Sequence, residues 1–207
     1  MNHLIHRPFQ PSSQPPFQLP HKQSITLIRH GPPAVSLHQQ VRGHQFRQFV
    51  ERYDAAHIAQ REQPPVAARQ VIAQANWVFA SHRPRARHTA ELLGVTIGPM
   101  IDPQFREIEF PVDFPQHFRF SALTWSLIAL VLWRLGYSSR SESFRRTRQR
   151  VCSAADLLEG KSQTLGSVVL VAHGGINRLI AEELRRRGWR GPRLPQSQHW
   201  GCTTYCR

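Results

Sequence analysis

Apolar positions fall into two kinds of run that alternate along the chain. Short runs rich in β-branched residues occupy 24–29 (SITLIR), 76–81 (NWVFAS) and 168–172 (VVLVA). Their length and composition fit strands buried on both faces, as in a parallel sheet. Between them, apolar residues recur every three or four positions, the spacing of one helix face. Phe46, Phe49, Val50 and Tyr53 carry that spacing in an expected helix over 45–60. Ala86, Ala90, Leu92 and Leu93 carry it in a helix whose first turn holds Pro84, and Phe144, Val151, Ala155 and Leu158 in one over 142–158. Further helices are expected over 66–75, 120–135 and 176–187, an extended segment over 95–101, and a last extended piece over 199–207 that closes a sheet edge. Strands separated by helix-length crossovers predict a three-layer α/β/α sandwich around a mostly parallel sheet.

Two of the strands run into the same dipeptide. The first ends in His30-Gly31 and the last parallel one in His173-Gly174-Gly175. Ligands in open α/β sheets bind beyond the carboxyl ends of the strands, so these two histidines are expected to face one another.

Length and charge narrow the partner. The 207 residues suit one domain, expected over 24–207 after a flexible Pro/Gln-rich leader over 1–23 that lacks the apolar core of a signal peptide. The formal charge of +14 rests on arginine, since Lys22 and Lys161 are the only lysines. Guanidinium forks suit phosphate oxygens, which makes an anionic partner the expectation. The clusters at Arg145, Arg146, Arg148 and Arg150 and at 185–187 are expected to be solvated helix faces. No aromatic-interleaved basic ribbon marks a specific nucleic-acid site, and no GxGxxG or Walker-type loop indicates a nucleotide cofactor.

Three cysteines, Cys152, Cys202 and Cys206, make no disulfide framework, and a reducing, cytoplasmic setting is expected. None of the twelve histidines forms a close metal-ligand pair with acidic support, so no metal is expected. The apolar stretch over 121–133 is short of the roughly 20 residues that cross a bilayer. It is expected to be a buried or pocket-covering helix, with a helix resting on a membrane surface as the other option.

Four elements now stand in order: Arg29-His30-Gly31, Ser81-x-x-x-Arg85-Ala86-x-x-Thr89-Ala90, Phe105-Arg106-Glu107, and His173-Gly174-Gly175. In this order the chain resembles the histidine phosphatase superfamily, the phosphoglycerate-mutase-like proteins, over residues 24–205. The resemblance implies a metal-independent and cofactor-free phosphatase that hydrolyses a phosphomonoester through a phosphohistidine intermediate. It implies His30 as nucleophile, Arg29 and Arg85 as phosphate ligands, His173 as charge stabiliser and Glu107 as proton donor, with Glu109 in reserve. Arg83 and Arg87 compete for the place of Arg85. Arg42 and His44 in the loop after the first strand, and Asn177 and Arg178 after the second motif, are lesser candidates for substrate contact.

The chemistry is intelligible residue by residue. Phosphoryl transfer depends on positioning and charge stabilisation, and paired guanidinium donors match phosphate oxygens. An attacking imidazole must be neutral, and adjacent arginines favour that form. Where the family commonly continues with other residues, this chain has Pro32-Pro33 after the first motif and Ser81-His82-Arg83 at the second, and no Trp-Glu-Gly follows Glu109. Those departures favour a phosphatase over a mutase. The alternatives are a phosphohistidine or sugar-phosphate phosphatase, a catalytically dead relative, and a basic protein that holds acidic partners or nucleic acid.

Overall fold

The computed structural model describes residues 22–95 and 100–207. Seven strands lie among them: β1 (Ser24–Arg29), β2 (Gln40–Arg42), β3 (Trp77–Ala80), β4 (Met100–Ile101), β5 (Arg119–Ser121), β6 (Ser167–Ala172) and β7 (Cys202–Cys206). Six helices accompany them: α1 (Phe46–Ala55), α2 (Val66–Ala73), α3 (Pro84–Leu92), α4 (Ala122–Arg134), α5 (Phe144–Leu165) and α6 (Gly174–Arg186).

The main sheet has the order β4-β3-β6-β1-β7, parallel throughout except for β7, which closes one edge against β1. Alternation along each strand sends side chains to two layers. Ile25, Leu27, Val168 and Leu170 pack against α5 and α6 through Leu158 and Ile180. Ile28, Val169 and Val171 pack against α2 and α3 through Ala68, Ala86 and Ala90. The α/β fold is the one expected. β1 and β6 run in register to their last residues, with Arg29 opposite Ala172. The strands therefore end level, and the histidine following each emerges at the same height.

A smaller apolar cluster, with Val41, Phe46, Phe49, Trp125 and Ala129, joins α1 and α4 to a two-stranded ladder of β2 and β5. That ladder is a correction to the helix expected over 120–135. Residues 119–121 pair with 40–42, and the helix begins after Ser121, whose Oγ accepts the Thr124 N–H at 3.1 Å. Three-residue strands are too short to leave an alternating pattern. Only one face of α4 is buried: Trp125 and Trp133 point inward, while Leu127 and Val131 are 54% and 58% exposed. Among the described residues no helix is long and apolar enough to cross a membrane.

Other boundaries move for local reasons. α1 stops at Ala55 instead of reaching residue 60 because the chain turns extended and bridges back to the loop after β1, with Ala59 N–H donating to the Pro32 carbonyl and Ala34 N–H to that of His57, both at 2.9 Å. α5 runs seven residues past Leu158 and ends where Gly166 takes φ +82°. The leader over 1–23 lies outside the described residues save for its last two, as do residues 96–99 of the extended segment, whose described end forms β4.

Two arginines expected on solvated faces are structural. Arg150 is buried, with Nη2 on Glu142 Oε2 at 2.6 Å and Nη1 donating to the Gln104 and Arg106 carbonyls at 2.7 and 2.9 Å. It thereby fixes the segment that leads into Glu107. Burial alone would raise the Glu142 carboxyl, but the Arg150 fork holds it below the usual carboxylate range. Arg187 joins Asp156, Glu159 and Glu183 at 2.6, 2.5 and 2.8 Å, tying α5 to α6.

Candidate active site

Level strand ends bring two imidazoles together. The His30 and His173 rings stand edge to face with centroids 5.2 Å apart, and both are almost wholly buried. His30 Nδ1 lies 2.8 Å from the Gly31 carbonyl oxygen. A carbonyl only accepts, so Nδ1 carries the proton and the Nε2 lone pair stays free. His173 is held through Nε2, 2.8 Å from the Ser81 hydroxyl at the end of β3. Burial, reinforced by the Arg85 charge, pushes both imidazoles well below their ordinary pKa of 6.5, and Arg29 adds to the effect on His30. Both rings are thus neutral at neutral pH.

The backbone around His30 is pinned from two sides. Gly31 N–H donates to Thr89 Oγ1 at 3.0 Å, and that hydroxyl donates to the Arg85 carbonyl at 2.6 Å, coupling the loop to α3. The Trp200 ring packs so closely on Gly31 that a Cβ there would overlap it. Trp200 itself sits in the left-handed region at φ +64° and donates its N–H to the Arg29 carbonyl at 3.1 Å.

Two guanidiniums approach the imidazoles. Arg29 crosses Gly174, where a Cβ would lie 3.4 Å from Nε, and its Nη1 donates to the Ser197 carbonyl. Arg85, in the first turn of α3, is 1% exposed. Its Nη1 donates to the Tyr53 carbonyl at 3.0 Å, its Nη2 reaches Asp54 Oδ1 at 3.3 Å, and its plane lies 4.8 Å from the Tyr53 ring centre. The Nε donors of both arginines are buried without an acceptor among the described residues. Of the two rivals, Arg83 reaches the same cavity but pairs with Asp54 at 2.9 Å, and Arg87 is exposed. Two residues on from Arg85, Arg87 falls on the opposite side of α3.

Glu107 reaches the start of α6. Its Oε2 accepts the Gly175 N–H at 3.1 Å, and Oε1 accepts those of Ile176 and Ile108 at 2.9 and 3.0 Å. A helix start offers free N–H groups and a positive dipole end, which is why a carboxylate settles there. Gly175 must lack a side chain, since a Cβ would stand 2.7 Å from Oε1. Glu109 pairs with Arg106 at 3.1 Å, and both glutamates line a cavity of about 390 Å³ together with Arg29, His30 and Arg85.

The lesser candidates fall elsewhere. Arg42 and His44 are exposed and outside that cavity's lining. Asn177 is buried and donates Nδ2 to the Ile28 carbonyl at 3.1 Å, joining α6 to β1, while Arg178 is exposed. Three residues that local pattern did not mark stand at the site. Tyr53 and Asp54 arrive from the end of α1 and engage Arg85. His199 arrives from the segment before β7, with Nδ1 3.0 Å from the His30 carbonyl and its ring centre 5.3 Å from that of His30. Among the described residues no group of three or more His, Cys, Asp or Glu side chains is placed to hold a metal.

A basic crevice with two neutral histidines thus lies beyond the carboxyl ends of parallel strands in an α/β protein, the place where such sheets bind ligands. Comparison with known proteins agrees: the model of the histidine phosphatase superfamily (branch 1) matches residues 25–204, and the chain belongs to that superfamily. An open-reading-frame product of Mycobacterium tuberculosis shares the fold at TM-score 0.58 and 19% identity, over 88% of this chain and 90% of that one. A mycobacterial glucosyl-3-phosphoglycerate phosphatase, solved in complex with VO3, does so at TM-score 0.57 and 20% identity, over 88% and 92%. A putative α-ribazole-5'-P phosphatase of Escherichia coli superposes at TM-score 0.52 and 19% identity, over 78% and 79%. No curated protein matches the chain.

Proposed function

We propose that this protein is a metal-independent phosphatase that hydrolyses a phosphomonoester through a phosphohistidine on His30. The observation that carries it is the free Nε2 of a neutral, buried His30, aimed by the Nδ1 bond to Gly31 and flanked by Arg29, Arg85 and His173. Membership of the superfamily supports it, as does the likeness in fold to two proteins named as phosphatases.

The Nε2 lone pair attacks phosphorus while the bond from phosphorus to the ester oxygen breaks. Glu107 acts as the general acid and gives a proton to the departing oxygen. Arg29 and Arg85, each with an Nε that no acceptor among the described residues takes, bind the non-bridging oxygens, and His173 steadies the charge in transit. Water then attacks the phosphohistidine, gives a proton to the Glu107 carboxylate, and the P–N electron pair returns to Nε2. A carboxyl beside the crevice favours an ester over a nitrogen–phosphorus substrate, whose leaving group needs less help.

The test is an excess of chelator with p-nitrophenyl phosphate as probe. Phosphate release, and a labelled enzyme that loses its phosphate in acid but keeps it in base, are expected of the wild type and absent from His30→Ala. Equal turnover in that variant would overturn the proposal.

A further inference from the structure

The cavity does not end at the charged groups. Beyond Arg29, His30 and Arg85 one stretch of its wall is apolar, built from Leu37, Phe46, Phe49, Val50, Phe110 and Val112. These side chains belong to or pack on the cluster that joins α1 to α4, so the wall is backed by a core and not by a loose loop. The polar groups on the same wall are largely engaged with one another. Asp54 is shared by Arg83 and Arg85, Glu109 is bound to Arg106, and Arg47 is bound to Asp113 at 2.5 Å. Ser126 donates its hydroxyl to the Ala122 carbonyl of its own helix at 2.8 Å. What remains is the Ser141 hydroxyl and the Arg83 Nε, with the Tyr53 phenol on the same lining and Glu51 and Arg140 exposed at the rim.

From this we infer that the alcohol portion of the substrate is an apolar group, aromatic or branched aliphatic, and not a sugar or glycerate. The inference rests on the phosphatase reading above and specifies its substrate class. Several hydroxyls carried into this wall would surrender water and find too few partners, whereas an apolar group gains by leaving water. Size sets the upper bound. A volume of about 390 Å³ is near the lower end of the roughly 300–1,000 Å³ range of small-molecule sites. Once a phosphoryl group is seated, the remainder suits one or two rings.

Binding separates this inference from catalysis. The full chain is titrated calorimetrically with 2-phenylethylphosphonate and with 2,3-dihydroxypropylphosphonate, which share an anionic head with an unbreakable C–P bond. The expected result is at least tenfold tighter binding of the phenylethyl compound, with a more negative heat-capacity change. Val50→Asn should cut that preference at least threefold, and Val112→Asn repeats the test should the first variant fold poorly. A wild-type preference below tenfold, or one that a folded variant leaves undiminished, overturns the inference. Turnover is measured in parallel with 2-phenylethyl phosphate. Preference without turnover supports the apolar class and overturns the phosphatase reading, whereas turnover without preference overturns the apolar class alone.

Discussion

His30-Gly31 and His173-Gly174 sit on neighbouring strands at the same sheet edge, yet the backbone after them differs and so does the chemistry left to each ring. After His30 the chain enters a proline-containing loop, and the imidazole bonds to the carbonyl of the next residue, which frees Nε2. After His173 the chain enters α6 at once, and the imidazole bonds through Nε2 to Ser81. The glycines differ as well. Gly31 makes room for the Trp200 ring, while Gly174 lets the Arg29 guanidinium pass at ordinary contact distance. One dipeptide, used twice, leaves Nε2 unbonded in one ring and Nδ1, buried among the described residues without a partner, in the other.

The sharpest way to break this comparison is to remove each ring in turn. His30→Ala should lower phosphate release by about 10⁴-fold or more and abolish the trapped phosphoenzyme. His173→Ala should cost about 10²–10³-fold and still form the phosphoenzyme slowly, as loss of a stabilising donor does. Equal losses, read by rapid-quench trapping, would mean that the two rings do not divide the work. Next in size is Glu107→Gln, expected to lower ester hydrolysis about 10²-fold or more while sparing a phosphoramidate substrate. Equal loss on both substrates would remove the proton-transfer role.

Stability effects follow. Both histidines are folded with depressed pKa values, so the unfolded chain binds more protons below its ordinary pKa of 6.5. Stability is therefore full above pH 6.5 and falls on acidification, by about 1.4 kcal/mol per histidine for each pH unit until the folded rings titrate. Urea midpoints between pH 7.5 and 5 should decline, and the decline should be shallower in His30→Asn. Smaller still is the contrast between the glycines. Gly31→Ala, which drives a Cβ into Trp200, should cost about 1–3 kcal/mol, and Gly174→Ala less than about 0.5 kcal/mol. A denaturation pair that came out level would show that the two backbones are less different than their contacts imply.

Much of the fold was legible because its signals are local. The buried strands announce themselves by β-branched runs, and Pro84 marks the start of α3 in its first turn. The misplaced boundaries have tertiary causes. The short ladder of β2 and β5 exists because α1 and α4 leave an apolar flank to cover, and the early end of α1 because residues 57–59 find partners in the loop after β1. Arg150 and Arg187 read as surface charges in sequence, since an arginine's burial depends on the carboxylates that come to meet it from other elements.

Sequence alone determined that two histidines and two arginines lie at strand and helix ends, because strand length, β-branching and glycine punctuation act within a few residues of each. The tertiary structure decided which nitrogen of His30 is free, that Arg85 and not Arg83 or Arg87 is the buried one, and that Glu107 rests on the start of α6. It also decided that Tyr53, Asp54 and His199 gather at the site, and that one stretch of the wall beyond is apolar. These depend on the level registration of β1 with β6 and on side chains from distant elements meeting in a crevice that excludes water. No periodicity along the chain encodes such a meeting.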